Sequence, residues 1–341
     1  MNKLAGLFLG IVTVSAIADP PEQTRYEFTQ IVMGVSAHLV FFADNEQKAH
    51  DAAQKAYARL NELDGVMSDY RNDSELMSLC RSEPGEPTPV SDDLRRVLVL
   101  AQDISRRTDG AFDCTVGPVV RLWRQARKDG QLPEAEALSS ARALIGPDLF
   151  EVDEEAGAVT LSRSGIRFDL GGIGKGFAAD EAIRTFESLG ITSALVDLGG
   201  DLRVSAPPPG QEGWTVVVDD GSSEPYSIRL AHGAIATSGD REQNVVIDGK
   251  RYSHIVDPRT GMSLTTRASA TVLAPTGAEA DALASAACVL GPTEWGLIAD
   301  RFEGVESAVS WSEEKSSSPS ILTTRSMRSR GFPANEELWT P

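Results

Sequence analysis

Cysteine is scarce in this chain: Cys80, Cys114 and Cys288 are the three present in 341 residues. They allow one disulfide at most, with a thiol left over, so the fold must be held by its core. Their spacings match no zinc motif, and each reads as a small buried apolar residue. Basic residues are short as well, 32 Lys and Arg against 50 Asp and Glu, for a formal net charge of −18. A surface this acidic argues against nucleic acid as a partner, because every phosphate contact would have to overcome a repulsive field. An anionic substrate then needs a locally prepared site carrying a metal, a lysine or helix N-termini. There is no repeat array, although Asp-Leu-Gly-Gly occurs twice, at 169–172 and 197–200. Beyond the first residues, no apolar run reads as long enough to cross a membrane.

What is present begins with MNKLAGLFLGIVTVSAIADPP, which reads as a cleavable export signal. Lys3 is its charged start, residues 4–17 its apolar stretch, and Ala16-Ile17-Ala18 its small-x-small cleavage site. The expected organisation is a signal peptide over 1–18, one domain over 19–315 and a tail over 316–341. Hydrophobic residues at 41% and charged residues at 24% suit a globular domain with a sizeable core. A strand pair is expected over 26–31 and 37–42 around Met33-Gly34. A helix should follow a capping box at Asp44 and Gln47, and another should start at Ser91 and stop near Asp109-Gly110. A third runs on from Gly176 to Gly190. Short β-rich runs at 194–196, 214–218, 245–247 and 268–273 precede an Ala-rich helix over 279–290 that Gly291 should stop.

Three clusters could carry chemistry. Residues 167–180 pass from a β-like entry through four glycines in six positions to Lys175 and a helix. That pattern suits either an anion site at a helix start or a tight crossing of packed elements, and it fits neither a Walker A loop nor a dinucleotide fingerprint. Ser238, His254 and Asp257 lie in or beside turns, with His254 either a hydrogen-bonded structural histidine or a functional one. No G-x-S-x-G elbow supports a hydrolase triad. Asp281 and Ser285 stand four apart, so their oxygens share a helix face that could serve a hard cation, or else a cap and a buried small residue.

Taken in order, Met33-Gly34, Met67-Ser-Asp-Tyr70, the 110–118 segment GAFDCTVGP, the 169–176 segment DLGGIGKG, Val196-Asp-Leu-Gly-Gly-Asp201, Thr237-Ser-Gly239, His254-Ile-Val-Asp-Pro258 and Ala280-Asp-Ala-Leu283 resemble the ApbE family of flavin transferases. The resemblance runs from about residue 28 to about 310. It implies an α+β fold of mixed, largely antiparallel sheets with packed helices. It implies a periplasmic enzyme that takes FAD as substrate and, with Mg2+, moves FMN onto a Thr or Ser hydroxyl of an acceptor flavoprotein, in a short motif, releasing AMP. FAD hydrolysis to FMN and AMP, or FAD binding without turnover, are the alternatives. Carried over position by position, Met33, Tyr70, Gly110, Ala111, Phe112, Asp169, Lys175 and Ile255 would hold FAD, with Ser238 beside them. Gly172 through its carbonyl, Asp281 and Ser285 would hold magnesium, and His254 or Asp257 would act as base, His254 being preferred. Val35, Cys114 and Ser285 depart from the residues usual in the family at their positions.

Overall fold

Strand β1 (Thr24–Val32) turns through Met33 and Gly34, at φ 52° and 75°, into the antiparallel β2 (Val35–Ala43), as the pattern predicts. The computed structural model describes residues 23–218, 226–239, 243–312 and 320–323. The expected export signal and most of the expected tail, Trp339 included, lie outside them. Helix α1 (Glu46–Met67) is capped by Asn45, one residue later than expected: Asn45 Oδ1 accepts from Lys48 N–H at 2.9 Å. Asp44 pairs with the Lys48 ammonium instead, and Gln47 bonds Asp51, so no capping box closes. Reach decides this, since Asn45 stands three residues ahead of the N–H it must satisfy.

After the short α2 (Glu75–Leu79) and β3 (Thr88–Pro89), α3 (Asp92–Arg107) starts as expected, with Ser91 Oγ accepting from Leu94 N–H at 3.2 Å. Helices α4 (Gly117–Asp129) and α5 (Ala135–Arg142) follow, neither of them singled out by the sequence pattern. A small sheet β3-β5-β4 forms from β4 (Phe150–Asp153) and β5 (Ala158–Leu161) with β3. Next come α6 (Gly174–Ser188), β6 (Ala194–Leu198) and β7 (Asp201–Val204). A hairpin of β8 (Trp214–Val218) and β9 (Tyr226–Leu230) leads to β10 (Ala234–Gly239). Two further hairpins pair β11 (Asn244–Ile247) with β12 (Lys250–Ser253) and β13 (Val256–Asp257) with β14 (Met262–Ser263). The chain closes with β15 (Arg267–Ala274), α7 (Gly277–Ile298), β16 (Glu306–Ser312) and β17 (Ser320–Thr323).

The main sheet has the order β1-β2-β6-β7-β10-β15-β16-β17, and every neighbouring pair is antiparallel. The α+β expectation therefore holds, and β17 carries the sheet past the expected boundary at 315. Side-chain alternation gives the sheet two different faces. Leu39, Phe41, Val196, Ala236 and Val272 look inward onto α1, α6 and α7 in the principal core. Val40, Leu195, Val204, Ile235 and Leu273 look outward and are partly covered by Trp214, Val216, Val218, Ile228 and Leu230 of the β8–β9 hairpin. A third cluster joins Trp123 of α4 to Tyr252 of β12.

Contrary to the expectation that no run beyond the first residues is long enough, helix α7 could cross a membrane by length and composition alone. Here it is the central core helix, with Ala280, Ala282, Leu283, Ala284, Ala286, Ala287 and Cys288 buried. Gly291 ends its first segment as expected: at φ 65° and ψ 177° it is non-helical, and a second segment starts at Pro292 and buries Trp295, whose Nε1–H donates to Ser307 Oγ at 2.8 Å.

Candidate active site

Two helix starts meet at the centre of the fold. Gly176 in the first turn of α6 lies against Gly277 in the first turn of α7. A Cβ on Gly176 would stand 2.0 Å from the Gly277 carbonyl oxygen. The Asp180 carboxylate bridges the crossing, accepting from the N–H groups of Gly277 and Ala278 at 2.8 and 3.0 Å and from Arg203 Nε at 2.8 Å. Of the two readings of the glycine-rich segment, the tight crossing is thus realised at Gly176. Gly172 plays a different part: a Cβ there would stand 3.0 Å from Ser285 Oγ and 3.5 Å from the Phe112 ring, so bare backbone faces that hydroxyl.

A groove of about 1690 Å3 opens over this crossing, larger than the ~300–1,000 Å3 usual for a drug-sized ligand. Of the residues expected to hold FAD or metal, Met33, Tyr70, Ala111, Phe112, Asp169, Gly172, Lys175, Ser238, Ile255, Asp281 and Ser285 all line it, and His254 does too. Two do not. Gly110, at φ 77°, turns Ala111 and Phe112 into the groove but itself borders a smaller neighbouring cavity beside Arg259. Asp257 is buried in its own turn, where its carboxylate accepts from the Arg259 backbone N–H at 2.9 Å and from the Arg259 guanidinium at 3.0 and 3.2 Å. A carboxylate so occupied holds the turn.

At the floor of the groove, Lys175 Nζ bonds Asp201 and lies 3.5 Å from Asp281 Oδ2. Asp281 also accepts the Gly176 N–H at 3.2 Å. Both carboxylates are almost wholly buried. Burial, then the nearby Asp281 charge, pushes the Asp201 carboxyl above the usual carboxylate range. Burial works against the Lys175 ammonium, but Asp281 and Asp201 outweigh it and hold its pKa above the ordinary lysine value. Two buried carboxylates share one ammonium, so the cluster becomes net negative only when both are ionised. Ser285 Oγ stands beside it, 3.2 Å from Ser238 Oγ. Oxygen donors of this kind fit a hard divalent cation, although the described residues contain no cluster of three His, Cys, Asp or Glu side chains.

The wall near Tyr70 sets two arginines against Asp69 and Asp169. Arg124 lies over the exposed Tyr70 ring at 4.5 Å from its centroid, bonds Asp69, and donates to Asp169 at 3.0 Å. Burial, then the charge of Asp69, pushes the Asp169 carboxyl up. Arg127 also lines the groove, and its buried Nη1 has no hydrogen-bond partner among the described residues. Burial, then Arg124, pushes its pKa down. Arg124 and Arg127 escape sequence reasoning because isolated charges on a helix carry no motif, whereas Asp201 closes the 196–201 motif without having been given a role there. Both Asp-Leu-Gly-Gly copies line the groove but close differently: Asp169 accepts from the first glycine, Gly171 N–H, at 2.8 Å, and Asp197 from the second, Gly200 N–H, at 2.7 Å.

His254 is half-buried, and its Nδ1 lies 3.2 Å from the Gln243 carbonyl oxygen. A carbonyl only accepts, so Nδ1 is the donor in this hydrogen bond. Ser238 bonds Ser285 and Asp257 bonds Arg259, so no Ser-His-Asp triad assembles. Burial, reinforced by Asp113, pushes the Cys114 thiol well up, which makes it unreactive. Val35 packs within 3.0 Å of where a Cβ on Gly199 would be, so this side chain abuts the second glycine turn.

An antiparallel sheet backed by helices, with a large groove over a buried lysine–carboxylate cluster, is the architecture of an enzyme-like protein with room for a large ligand. Residues 33–309 match the model of the ApbE family, and the chain belongs to that family. Similar relatives include the FAD:protein FMN transferase of Klebsiella pneumoniae, 34% identical over 80% of both chains. That of Vibrio cholerae is 35% identical over 68% of this chain and 71% of its own. Among solved structures, the flavinyl transferase ApbE of Pseudomonas stutzeri in its apo form superposes with a TM-score of 0.80 at 26% identity, covering 90% of this chain and 97% of that one. The flavin transferase ApbE of Vibrio cholerae gives 0.80 at 28% identity, over 91% and 100%.

Proposed function

We propose that this protein is an FAD:protein FMN transferase, a periplasmic enzyme exported by a cleavable signal, that uses Mg2+ to place FMN on a Thr or Ser hydroxyl of an acceptor flavoprotein. The observation that carries the reading is the Lys175–Asp201–Asp281 cluster beside Ser285 and the bare Gly172 backbone, on the floor of a groove of about 1690 Å3. Asp281, Ser285 and the Gly172 carbonyl would hold the cation, which when bound neutralises charge on a pyrophosphate. Lys175 offers the same floor a fixed positive charge. His254 accepts the proton of the acceptor hydroxyl through Nε2 as its oxygen forms a bond to the riboflavin-side phosphorus. The bond from that phosphorus to the bridging oxygen breaks, and AMP leaves with the oxygen. Family membership and the named relatives support the reaction class.

The test mixes the purified protein with FAD, Mg2+ and candidate acceptor domains. In-gel flavin fluorescence on the acceptor with one AMP per flavin supports transfer, whereas free FMN and AMP alone would mean hydrolysis, and unchanged FAD would mean storage. Asp281→Ala should lower Mg2+-dependent transfer at least about 100-fold, the scale of losing charge stabilisation in the transition state. Wild-type turnover in that variant would sink the cation assignment.

A further inference from the structure

The groove does not end at the lysine–carboxylate floor. It continues onto the outer face of the main sheet, where His38, Val40, Leu195 and Ile235 line it. There it meets β8, and all five consecutive residues of that strand line the groove while none of β9 does. A strand sends alternate side chains to opposite faces, so a lining that includes every residue in succession means that the strand presents its edge. Burial agrees: Trp214, Val216 and Val218 are buried against the sheet, whereas Thr215 and Val217 are exposed, Val217 by 67%. Among the described residues β8 pairs with β9 alone, in a two-stranded sheet outside the main ladder. Its other edge therefore offers backbone N–H and C=O groups to the groove.

Resting on the transferase reading above, we propose that this open edge of β8 is the docking strand for the acceptor polypeptide, which pairs with it in extended conformation. The edge selects the occupant. Backbone donors and acceptors repeating every ~3.3 Å are matched by another backbone and not by a dinucleotide. The transfer reaction also requires a polypeptide segment in this groove together with FAD, and the residues expected to hold FAD line its other reach, from Tyr70 and Phe112 to Lys175. The two substrates then approach the lysine–carboxylate floor from opposite sides. Pairing along five residues would order about 17 Å of acceptor chain, enough to fix the direction from which its hydroxyl arrives. Main-chain pairing supplies affinity without demanding one sequence. The exposed Val217, with Val246 of β11 (62% exposed) also lining the groove, favours acceptor segments with small or apolar residues.

The experiment uses the whole enzyme with an acceptor domain that it flavinylates in the assay above. Hydrogen–deuterium exchange of the peptide covering Trp214–Val218 should slow at least about fivefold when acceptor is added to the FAD-loaded enzyme, and not when FAD alone is added. Val217→Glu should raise the acceptor KM about tenfold and leave FAD affinity, measured without acceptor by fluorescence quenching, within about twofold. Protection by FAD alone would assign the edge to the nucleotide and overturn the proposal. Unchanged exchange on acceptor binding would overturn it too, whether or not Val217→Glu folds. A wild-type enzyme that transfers FMN to no acceptor would instead sink the transferase reading, and this proposal with it.

Discussion

Replacing Gly176 by alanine tests what the glycine-rich segment is for. A Cβ at that position would lie 2.0 Å from the Gly277 carbonyl oxygen, 2.3 Å from its carbon and 2.8 Å from the Ala278 nitrogen. Ordinary contact begins at 3.4 Å, so the helix starts must part by 3.4 − 2.0, or 1.4 Å. All three neighbours are backbone atoms, and no side chain can rotate out of the way. The same separation stretches both bonds from Asp180 to the start of α7 and the bond from Gly176 N–H to Asp281. Overpacking of ~1–3 kcal/mol plus a weakened cap of ~1 kcal/mol gives a loss of about 3 kcal/mol. Calorimetry should record a fall in Tm of roughly 6–12 °C, and FMN transfer should fall with it because Asp281 is displaced. Gly174→Ala is the internal control. A Cβ there meets only Leu170 Cβ at 3.8 Å and Met67 Cε at 4.0 Å, so Tm should hold or rise. Equal melting temperatures for the two variants would refute the argument, because glycines kept solely for phosphate approach would spare stability at both positions.

Arg127→Ala should weaken FAD binding about 10- to 100-fold, the worth of one charge-assisted hydrogen bond, without lowering Tm, since Nη1 satisfies nothing in the folded protein. Titration calorimetry with FAD reads the first effect, and unchanged affinity would remove Arg127 from the site. Glu181 receives Arg59 at 2.6 Å, Arg96 at 2.8 Å and Arg184, tying α6 to α1 and α3. Burial raises its pKa, but those arginines outweigh it and hold the carboxyl below its ordinary 4.5. A depressed carboxyl stabilises the fold above the unfolded pKa and loses that stabilisation as pH falls through the folded one. Glu181→Gln should therefore cost about 2 kcal/mol at pH 7, the low end for a buried pair because Arg96 and Arg184 are partly exposed. The cost should start to shrink as pH falls below 4.5 and fade as the folded carboxyl itself takes up its proton; denaturant melts showing the same deficit at pH 3 and pH 7 would contradict this.

Local signals in the sequence find the elements that make their own boundaries. Ser91 is followed by two aspartates and a 3.6-residue apolar period, and α3 starts there. The β1–β2 pair is visible in its alternation and turn. Misplaced boundaries have equally local causes, since Asp44 and Asn45 are both good caps and only reach to Lys48 N–H separates them. The site is less legible. Lys175, Asp201 and Asp281 all lie within motifs, but Asp201 is 26 positions from Lys175, and their pairing appears only after α6 packs beside β7. Arg124 and Arg127 sit on a helix that the pattern passes over, and nothing before folding sets them apart from other surface arginines. Asp257 shows the converse. It lies beside His254 in the chain, yet Arg259 two residues on takes its carboxylate to hold the turn.

The joint between Gly176 and Gly277 also decides which parts of the molecule can move. Backbone rests on backbone there, with no side chain between to change rotamer, so α6 and α7 cannot slide past each other. Lys175 and Asp281 ride on those two helices, and the distance between them is consequently a fixed dimension of the fold. Any widening of the groove to admit a ligand falls to its other rim, where the β8–β9 and β11–β12 hairpins stand outside the main sheet.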